Sequence, residues 1–222
     1  MWLRDPGVRA RSTPLTRERI VEAAVALLDG HGIEGLTMRR LAGALDVTPT
    51  ALYWHVRTKE DVLDLAVDRI FGAAPVPPVT ADWRGDVRAL ARAWRTAMLE
   101  HPWAPGLIGR PVLGPNVLAR TEFLQSALVR GGLSDLGLAV TTRLLANYVI
   151  GAALTESAWR RSPGAGPAPA RAHITADPAA YPTLTASGHL DAERWDDESL
   201  FDRGLDAILA GACGGAVEVR GR

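Results

Sequence analysis

Three helix starts of one design follow each other in the first quarter of the chain. In each start, an apolar residue precedes a threonine, and a second apolar residue follows four positions after the threonine. The three sets are Leu15-Thr16 with Ile20, Leu36-Thr37 with Leu41, and Val47-Thr48 with Leu52. The threonine hydroxyl can accept a hydrogen bond from an unpaired backbone N–H, and the apolar pair closes a hydrophobic staple. The pattern predicts three helices, of which the second and third are separated by a very short break.

Helical spacing of the apolar residues predicts where these helices end. The first is expected over about 17–29, with Gly30 and Gly32 after it, the second over about 38–45 and the third over about 49–55. Pro49 suits the first position of the third helix because its missing N–H costs nothing there. A fourth helix is expected from Thr58 to Phe71, with Asp61 as the capping partner of Thr58.

The rest of the chain also has helical spacing and almost no strand pattern. Further helices are predicted over about 82–100, from a cap at Asn116 to Gly131, from Ser134 to about Trp159, and over about 197–210. The segment 162–182 is dense in Pro, Ala and Gly, which predicts a flexible excursion and not a helix. We therefore expect an all-α protein, with a three-helix helix-turn-helix domain before a larger helical domain.

Composition excludes several classes of protein. The 25 basic and 25 acidic residues cancel, so any anion must be bound by a local patch. Cys213 is the single cysteine and the five histidines are scattered, so no metal and no cofactor are predicted. The N-terminus does not resemble a signal peptide, and the apolar run 144–154 is shorter than the ~20 residues that span a bilayer. We expect a cytoplasmic protein that does not enter a membrane.

The second and third predicted helices, with their tight break, form a helix-turn-helix arrangement in which the third helix enters the DNA major groove. Its outward residues are predicted to contact bases, sugar and phosphate, and they are Thr48, Pro49, Thr50, Ala51, Tyr53, Trp54 and His55. Phosphate contacts are also expected from Thr37, Arg39, Arg40 and Lys59, which lie near helix starts. The alternative is that Tyr53 and Trp54 complete a small core.

A run of residues in this region resembles the DNA-binding domain of the TetR family of transcriptional regulators over about residues 15–71. The residues that carry the resemblance are Leu36-Thr37-Met38-Arg39-Arg40-Leu41-Ala42, Leu45-Asp46-Val47, Ala51-Leu52-Tyr53-Trp54-His55-Val56 and Lys59-Glu60-Asp61-Val62-Leu63. The segment 52–56 is closest to the tetracycline-repressor branch. The resemblance implies base contacts from 48–51, and phosphate contacts from Thr37, Arg39, Tyr53, His55 and Lys59. Where other branches have glycine at the break, this chain has Asp46.

Beyond residue 72 the chain resembles the effector-binding and dimerisation domain of the same branch. The matching pieces are 107–111, the surroundings of Glu122, Gly151-Ala152 and 201–206. The resemblance implies a homodimer held by a four-helix bundle, to which each subunit gives two helices, here about 134–159 and 197–210. The last helix has an apolar stripe of Leu200, Phe201, Gly204, Leu205, Ile208 and Leu209. The alternative is that this stripe packs within one subunit.

Aromatic and polar residues of the second domain are the candidates for an effector pocket. They are Trp94, Met98, His101, Trp103, Arg110, Glu122, Gln125, Asn147, Tyr148, Glu156 and Trp159. Trp94, Arg110 and Glu122 lie at or near pocket positions by resemblance. The metal-binding histidine of the tetracycline repressors is replaced here by Gly106, so no magnesium–tetracycline site is predicted. For each residue the alternative is core packing or a surface salt bridge.

These features predict a one-component regulator that binds a pseudo-palindromic operator on double-stranded DNA as a homodimer, and that a small, largely apolar effector releases. Repression is the predicted mode, and activation is the alternative. An enzyme or a helical ligand-binding protein without operator function is the other alternative, but no catalytic motif supports an enzyme. The predicted organisation is a flexible arm (1–14), the DNA-binding domain with the linking helix (15–71), the effector-binding and dimerisation domain (72–212) and a flexible tail (213–222). Whether 162–182 form a lid or an idle loop stays open.

Overall fold

A computed structural model describes residues 14–108, 114–161, 167–191 and 193–214. Over these residues the chain is helical and contains no strand, which confirms the predicted all-α fold. The helices are α1 (Arg17–Gly35), α2 (Met38–Ala44), α3 (Pro49–Tyr53), α4 (Lys59–Ala73), α5 (Trp83–Glu100), α6 (Pro115–Arg130), α7 (Asp135–Arg161), α8 (Pro167–Ala176), α9 (Pro182–Ser187) and α10 (Asp197–Gly214). A short 3₁₀ helix, Pro105–Leu107, follows α5.

The chain divides into two compact units, an N-terminal unit (Met1–Ala66) and a C-terminal unit (Val67–Arg222). The division falls within α4, five residues before the predicted domain boundary at residue 71. The predicted arm lies outside the described residues except for Pro14. Of the predicted tail, 215–222 lie outside them, while the backbone of 213–214 completes α10.

The predicted threonine caps are present in the N-terminal unit. The hydroxyls of Thr16, Thr37 and Thr48 accept hydrogen bonds from the backbone N–H three residues later, at 3.3, 3.1 and 3.3 Å. At the start of α4, Asp61 N–H donates to Thr58 Oγ1 (3.0 Å), and Thr58 N–H donates to the Asp61 carboxylate (3.1 Å). This reciprocal pair satisfies backbone donors that the first turn leaves unpaired.

Two helices of the N-terminal unit, α1 and α3, end two or more residues away from the predicted position. Helix α1 does not end at Gly30 but continues to Gly35, with a kink at Gly32, whose φ of 66° and ψ of −175° are not helical. Glycine adopts this positive φ without steric cost, so the chain bends and then resumes its helix. Helix α3 is shorter than predicted and ends at Tyr53, with Trp54 as its C-cap.

In the C-terminal unit, α5 packs against α6 and α7, and α10 packs against α7 and α5. The buried core includes Leu90 and Met98 on α5, Leu128 on α6, Leu145 on α7 and Leu205 on α10, all of which are 2% exposed or less. Three arginines of α5 also form long-range hydrogen bonds with acidic side chains of α7 and α10.

The prediction that Asn116 caps α6 is wrong. The N-cap position is Gly114, and the capping carboxylate comes from Asp68 on α4, which accepts from the backbone N–H groups of Asn116 and Val117 at 3.0 Å each. In return, the buried Arg120 of α6 donates to the carbonyl oxygens of Gly72 and Ala74, where α4 ends. We call Asp68 and Arg120, with the helix ends that they bind, the reciprocal cap.

The prediction that 162–182 contain no helix is also wrong for its described part, because α8 covers Pro167–Ala176. Proline at the first position of a helix is favoured, and alanine has the highest helix propensity, so a Pro- and Ala-rich segment can begin a helix. Residues 162–166 lie outside the described residues. Only Ile174 of α8 is buried.

Helix α7 is the one described helix that is long and apolar enough to cross a membrane by length and composition. One such helix is weak evidence for a membrane span, because core helices of other proteins pass the same test. Several of its large apolar side chains are exposed, namely Leu136, Val140, Leu144 and Leu154.

Candidate functional site

The break between α2 and α3 is formed by local backbone hydrogen bonds. Val47 N–H donates to Ala42 O (3.0 Å), and Asp46 adopts a φ of 53° in the left-handed region. Aspartate tolerates this conformation better than most residues do. The turn between α2 and α3 therefore contains a non-glycine residue in the left-handed region.

The outward face of α3 exposes polar and aromatic groups, while Leu52 and Val56 are buried beneath it. Trp54 is 86% exposed and Tyr53 is 52% exposed, so neither ring completes a core, and that alternative is wrong. Thr48, Pro49 and Thr50 are exposed, and Ala51 and His55 are half-buried. The Thr48 hydroxyl accepts from Ala51 N–H, so its oxygen is partly engaged, whereas the Thr50 hydroxyl has no partner among the described residues.

Of the basic residues that precede and follow α3 in the sequence, two donate hydrogen bonds to backbone carbonyl groups. Lys59 Nζ donates to Ile33 O (2.9 Å), and Arg40 Nη1 donates to Gly35 O (3.1 Å). Both therefore bind carbonyl groups at the end of α1, and each keeps further N–H donors. Arg39 is exposed beside Arg40. The exposed threonine, aromatic and basic groups of this surface could contact a sugar–phosphate backbone and base edges.

A cavity of about 140 Å³ lies among α4, α5, α6 and α7 in the C-terminal unit. Ten residues line it: Val67, Phe71, Trp94, Met98, Ile108, Val117, Thr121, Ala146, Val149 and Ile150. The polar groups among them are the Trp94 indole N–H and the Thr121 hydroxyl, and none of the ten is charged. This lining suits an apolar molecule with few polar atoms.

A second, more open groove of about 370 Å³ lies among α5, α7 and α10. Four predicted effector residues line it: Asn147, Tyr148, Glu156 and Trp159. Glu156 is buried and accepts hydrogen bonds from Arg95 (2.6 Å) and Arg160 (2.5 Å). The Tyr148 hydroxyl lies 3.1 Å from the carbonyl oxygens of both Leu200 and Phe201, and burial raises its pKa. Glu156 and Tyr148 therefore already have partners within the chain.

The predicted effector residues are not brought together on one cavity. Trp94 and Met98 line the cavity of α4–α7, and four others line the second groove. Four predicted residues line neither of the two: His101, Trp103, Glu122 and Gln125. Trp103 is buried, and the centroid of its ring lies 5.8 Å from that of the His101 ring. Arg110 lies outside the described residues. Val67, Phe71, Val117 and Thr121 were missed because nothing in a sequence separates an aliphatic cavity wall from an ordinary core position.

The apolar stripe of α10 divides into two parts. Phe201, Leu205 and Leu209 are buried within the chain, whereas Leu200 is 46% exposed. A Cβ atom at Gly204 would collide with the Tyr148 hydroxyl, so this glycine lets the ring of Tyr148 approach α10 and stack on Phe201 at 5.4 Å. The alternative of packing within one subunit thus holds for one half of the stripe.

Two protein families match this chain over adjoining segments. Residues 20–66 match the family described as bacterial regulatory proteins, tetR family. Residues 75–213 match the family described as tetracyclin repressor-like, C-terminal domain. No group of three or more His, Cys, Asp or Glu residues in the described part of the chain could hold a metal ion.

Relatives of known type match almost the whole chain. An HTH-type transcriptional regulator of Saccharopolyspora erythraea is 43% identical over 95% of this chain and 90% of its own length. An HTH-type transcriptional repressor of Mycobacterium tuberculosis is 31% identical over 92% of this chain and 83% of its own.

Solved structures also match. ActR of Streptomyces coelicolor in complex with actinorhodin has 33% identity and a TM-score of 0.80, with 93% of this chain and all of that one covered. BioQ with its double-stranded DNA operator has 28% identity and a TM-score of 0.66, with 91% of this chain and all of that one covered.

A helix-turn-helix unit followed by a helical unit that encloses an apolar cavity defines a DNA-binding transcriptional regulator with a ligand-binding domain. The chain belongs to the TetR family of transcriptional regulators. The predicted family, fold class and regulator function are thereby confirmed. The family is one of transcriptional regulators and not of enzymes.

Proposed function

We propose that this regulator is a repressor that binds a pseudo-palindromic operator as a homodimer, and that a small, largely apolar molecule releases it from DNA. The observation that carries the proposal is the exposed face of α3, where Thr50, Tyr53 and Trp54 stand outward over a buried Leu52. An aromatic, largely unpartnered face on so short a helix is costly in water but suits contact with DNA. Repression is favoured over activation because a relative of this chain is named a transcriptional repressor.

The homodimer rests on an exposed apolar stripe in the C-terminal unit. Leu136, Val140, Leu144 and Leu154 lie along one side of α7 at helical spacing, and Leu200 of α10 is also exposed. A second copy of the chain would cover these side chains. In such a dimer the two recognition helices would meet major grooves one turn apart, ~34–36 Å, which explains a pseudo-palindromic operator.

Effector release rests on the position of α4. This helix begins at Lys59 in the N-terminal unit, and its later residues Val67 and Phe71 line the cavity. The reciprocal cap ties the same part of α4 to α6, which gives Val117 and Thr121 to the cavity. A molecule that displaced Phe71 would therefore move α4, and ligand and operator would oppose each other by typically ~1–3 kcal/mol. We also propose that the protein acts in the cytoplasm and has no catalytic activity.

The test is a fluorescence-anisotropy titration of the full-length protein onto labelled DNA from upstream of its own gene, with a random duplex as the reference, at two salt concentrations. We expect a preference of ~10³ or more for one duplex of that region. Equal, steeply salt-dependent binding to all duplexes would contradict operator recognition within that region. No binding to any duplex would contradict the DNA-binding assignment of α3.

Variants of α3 separate base contacts from backbone contacts in this titration. Tyr53→Ala should weaken binding to cognate and random duplexes alike and reduce the salt dependence, since we assign its exposed ring to backbone contact. Thr50→Ala should change the preference at one base pair, worth ~1–3 kcal/mol, with a smaller effect on random DNA. If both variants lowered cognate and random binding equally, the assignment of Thr50 to base contact would be wrong.

A further inference from the structure

The exposed side of α7 has the spacing of a seam between two helices. Six outward positions follow each other at alternating intervals of four and three residues, and they are Val140, Leu144, Asn147, Gly151, Leu154 and Ala158. The three large apolar side chains among them are between 44% and 50% exposed, and the other three residues are exposed as well. Intervals of four and three are the heptad spacing with which one helix packs along another. The seam therefore lacks a second helix in the described part of the chain.

The middle of this seam contains an open space. Gly151 lies well inside a helix of 27 residues, where glycine is less favourable than alanine. Packing within the subunit does not require this glycine, because a Cβ atom there would meet no atom of the rest of the described chain within 4 Å. Gly204 is the opposite case, since a Cβ atom there would collide with the Tyr148 hydroxyl. The space above Gly151 is therefore not occupied by its own subunit.

Asn147 is the polar residue of the seam. Its amide group is exposed and forms no hydrogen bond with another described residue. An amide has two N–H donors and an acceptor oxygen, so it can pair with a second amide or with a backbone carbonyl. A single asparagine in an otherwise apolar seam fixes the register of two helices, because other registers bury its amide against hydrocarbon.

A second copy of α7 fits this seam in one antiparallel register. The six positions are symmetric about position 149, so a two-fold axis at that level pairs Leu144 with Leu154 of the second copy. The same axis pairs Asn147 with Gly151, and each amide then enters the space above a glycine. A shift of one heptad would place Asn147 against Leu144 or against Ala158. A parallel pair would place Gly151 against Gly151 and leave a void, which is unfavourable.

We propose that α7 packs antiparallel against α7 of a second copy, with Asn147 of each copy seated over Gly151 of the other. Asn147 then sets the register of the dimer, and Gly151 provides the space for its amide. A different register would change the separation of the two recognition helices and therefore the half-site spacing of the operator. The inference rests on the homodimer of the proposed function and goes beyond it, because it states which residues meet across the two-fold axis.

The test uses cysteine pairs in the full-length chain with Cys213→Ser, so that no native thiol competes. Two differently tagged chains, one with Asn147→Cys and one with Gly151→Cys, are co-expressed and oxidised, and interchain disulfides are quantified on non-reducing gels. Since a disulfide requires Cα atoms about 4.4–6.8 Å apart, the mixed pair should cross-link ~10-fold faster than either variant with itself. Arg143→Cys with Gly151→Cys is the matched control, because Arg143 is exposed on α7 outside the seam. This control should not cross-link faster than the single variants.

A side chain placed in the open space provides a second measurement. Gly151→Leu raises the helix propensity of α7, and its Cβ meets no other part of the described chain, so the subunit itself should fold at least as well. If Asn147 of the second copy occupies this space, sedimentation equilibrium should show a dimer dissociation constant raised ~10-fold or more, because overpacking is unfavourable. Gly43→Leu is the control, since Gly43 is a glycine of α2 with equally open surroundings. It should leave the dimer constant unchanged.

The possible results separate this inference from the proposed function. If Asn147→Cys cross-linked with itself as fast as the mixed pair, the two helices would be parallel and the inference would be wrong. A protein that sediments as a dimer but forms no cross-link would show that the two α7 helices do not meet at these residues. An unchanged dimer constant in Gly151→Leu would also contradict the inference. A wild-type chain that sediments as a monomer would refute the homodimer of the proposed function, and the inference with it.

Discussion

The two units are stabilised by polar bonds that span very different distances in the sequence. In the N-terminal unit the caps of α1, α2, α3 and α4 join residues three positions apart. In the C-terminal unit the bond of Asp68 to Asn116 spans 48 positions, and that of Arg88 to Asp206 spans 118. The first kind of bond can be identified in a sequence, whereas the second exists only after the chain has folded.

Each unit has a bond that tests this contrast. Lys59 reaches Ile33 over 26 positions, so the N-terminal unit is not held by local caps alone. In the C-terminal unit, Arg88–Asp206 and Arg92–Asp202 are partly exposed, and ion pairs that are open to solvent stabilise proteins little. The buried reciprocal cap is therefore expected to stabilise the C-terminal unit more than these two pairs do.

The largest effect is expected from Asp68→Ala. This change removes the carboxylate that caps α6 and leaves the buried Arg120 without its nearby negative charge, so the free energy of unfolding should fall by about 3 kcal/mol. Urea unfolding followed by circular dichroism measures it. Glu122→Ala, an exposed acid of α6, is the control and should cost less than ~0.5 kcal/mol. Equal effects of the two changes would show that the distant cap does not stabilise the C-terminal unit.

Loss of a local cap should cost less. Thr37→Ala and Thr48→Ala each remove a hydroxyl that accepts from the first turn of a helix, and each should lower the free energy of unfolding by ~1 kcal/mol. Amide hydrogen exchange should place the loss in α2 and α3 and not in α5–α7. Thr50→Ala is the matched control, because the Thr50 hydroxyl caps nothing among the described residues. A loss that spread through α5–α7 would contradict the local character of these caps.

The same contrast explains which sequence predictions succeeded. The caps of Thr16, Thr37 and Thr48 were correct because donor and acceptor lie within one helical turn. Asn116 was wrong as a cap because its helix is capped by Asp68, which no local pattern reveals. Helix α8 was missed because proline and alanine were interpreted as loop residues, although Pro167 occupies a favourable first position.

The lining of the cavity was harder to predict than the exposed face of α3. Helix α3 had to bury Leu52, so its outward residues followed from helical geometry. The cavity wall instead joins residues from four helices, and choosing aromatic and polar residues by type found Trp94 and Met98 but also Trp103, which is core. A sequence without a fold does not show which core positions are left partly empty.

The smallest effect is expected when one strained residue in each unit is replaced by glycine. Asp46 and Asp135 have φ values of 53° and 46°, in the left-handed region that costs a non-glycine residue ~1–2 kcal/mol. Glycine would remove this strain but would also gain entropy in the unfolded chain. We therefore expect Asp46→Gly to raise the free energy of unfolding by only ~0.5 kcal/mol. Asp135→Gly should gain less, because Asp135 also places a negative charge in the first turn of α7.

Thermal unfolding of both variants, with operator titration of Asp46→Gly, checks this expectation. Since the turn already has the left-handed geometry that glycine prefers, operator affinity should change less than ~2-fold, about 0.4 kcal/mol. A destabilised Asp46→Gly would show that the Asp46 side chain stabilises the turn by more than its backbone strain costs. A stabilised variant with weaker operator binding would instead mean that the carboxylate takes part in the DNA-bound state. The local rules that describe the fold of the N-terminal unit would then not be sufficient to describe its function.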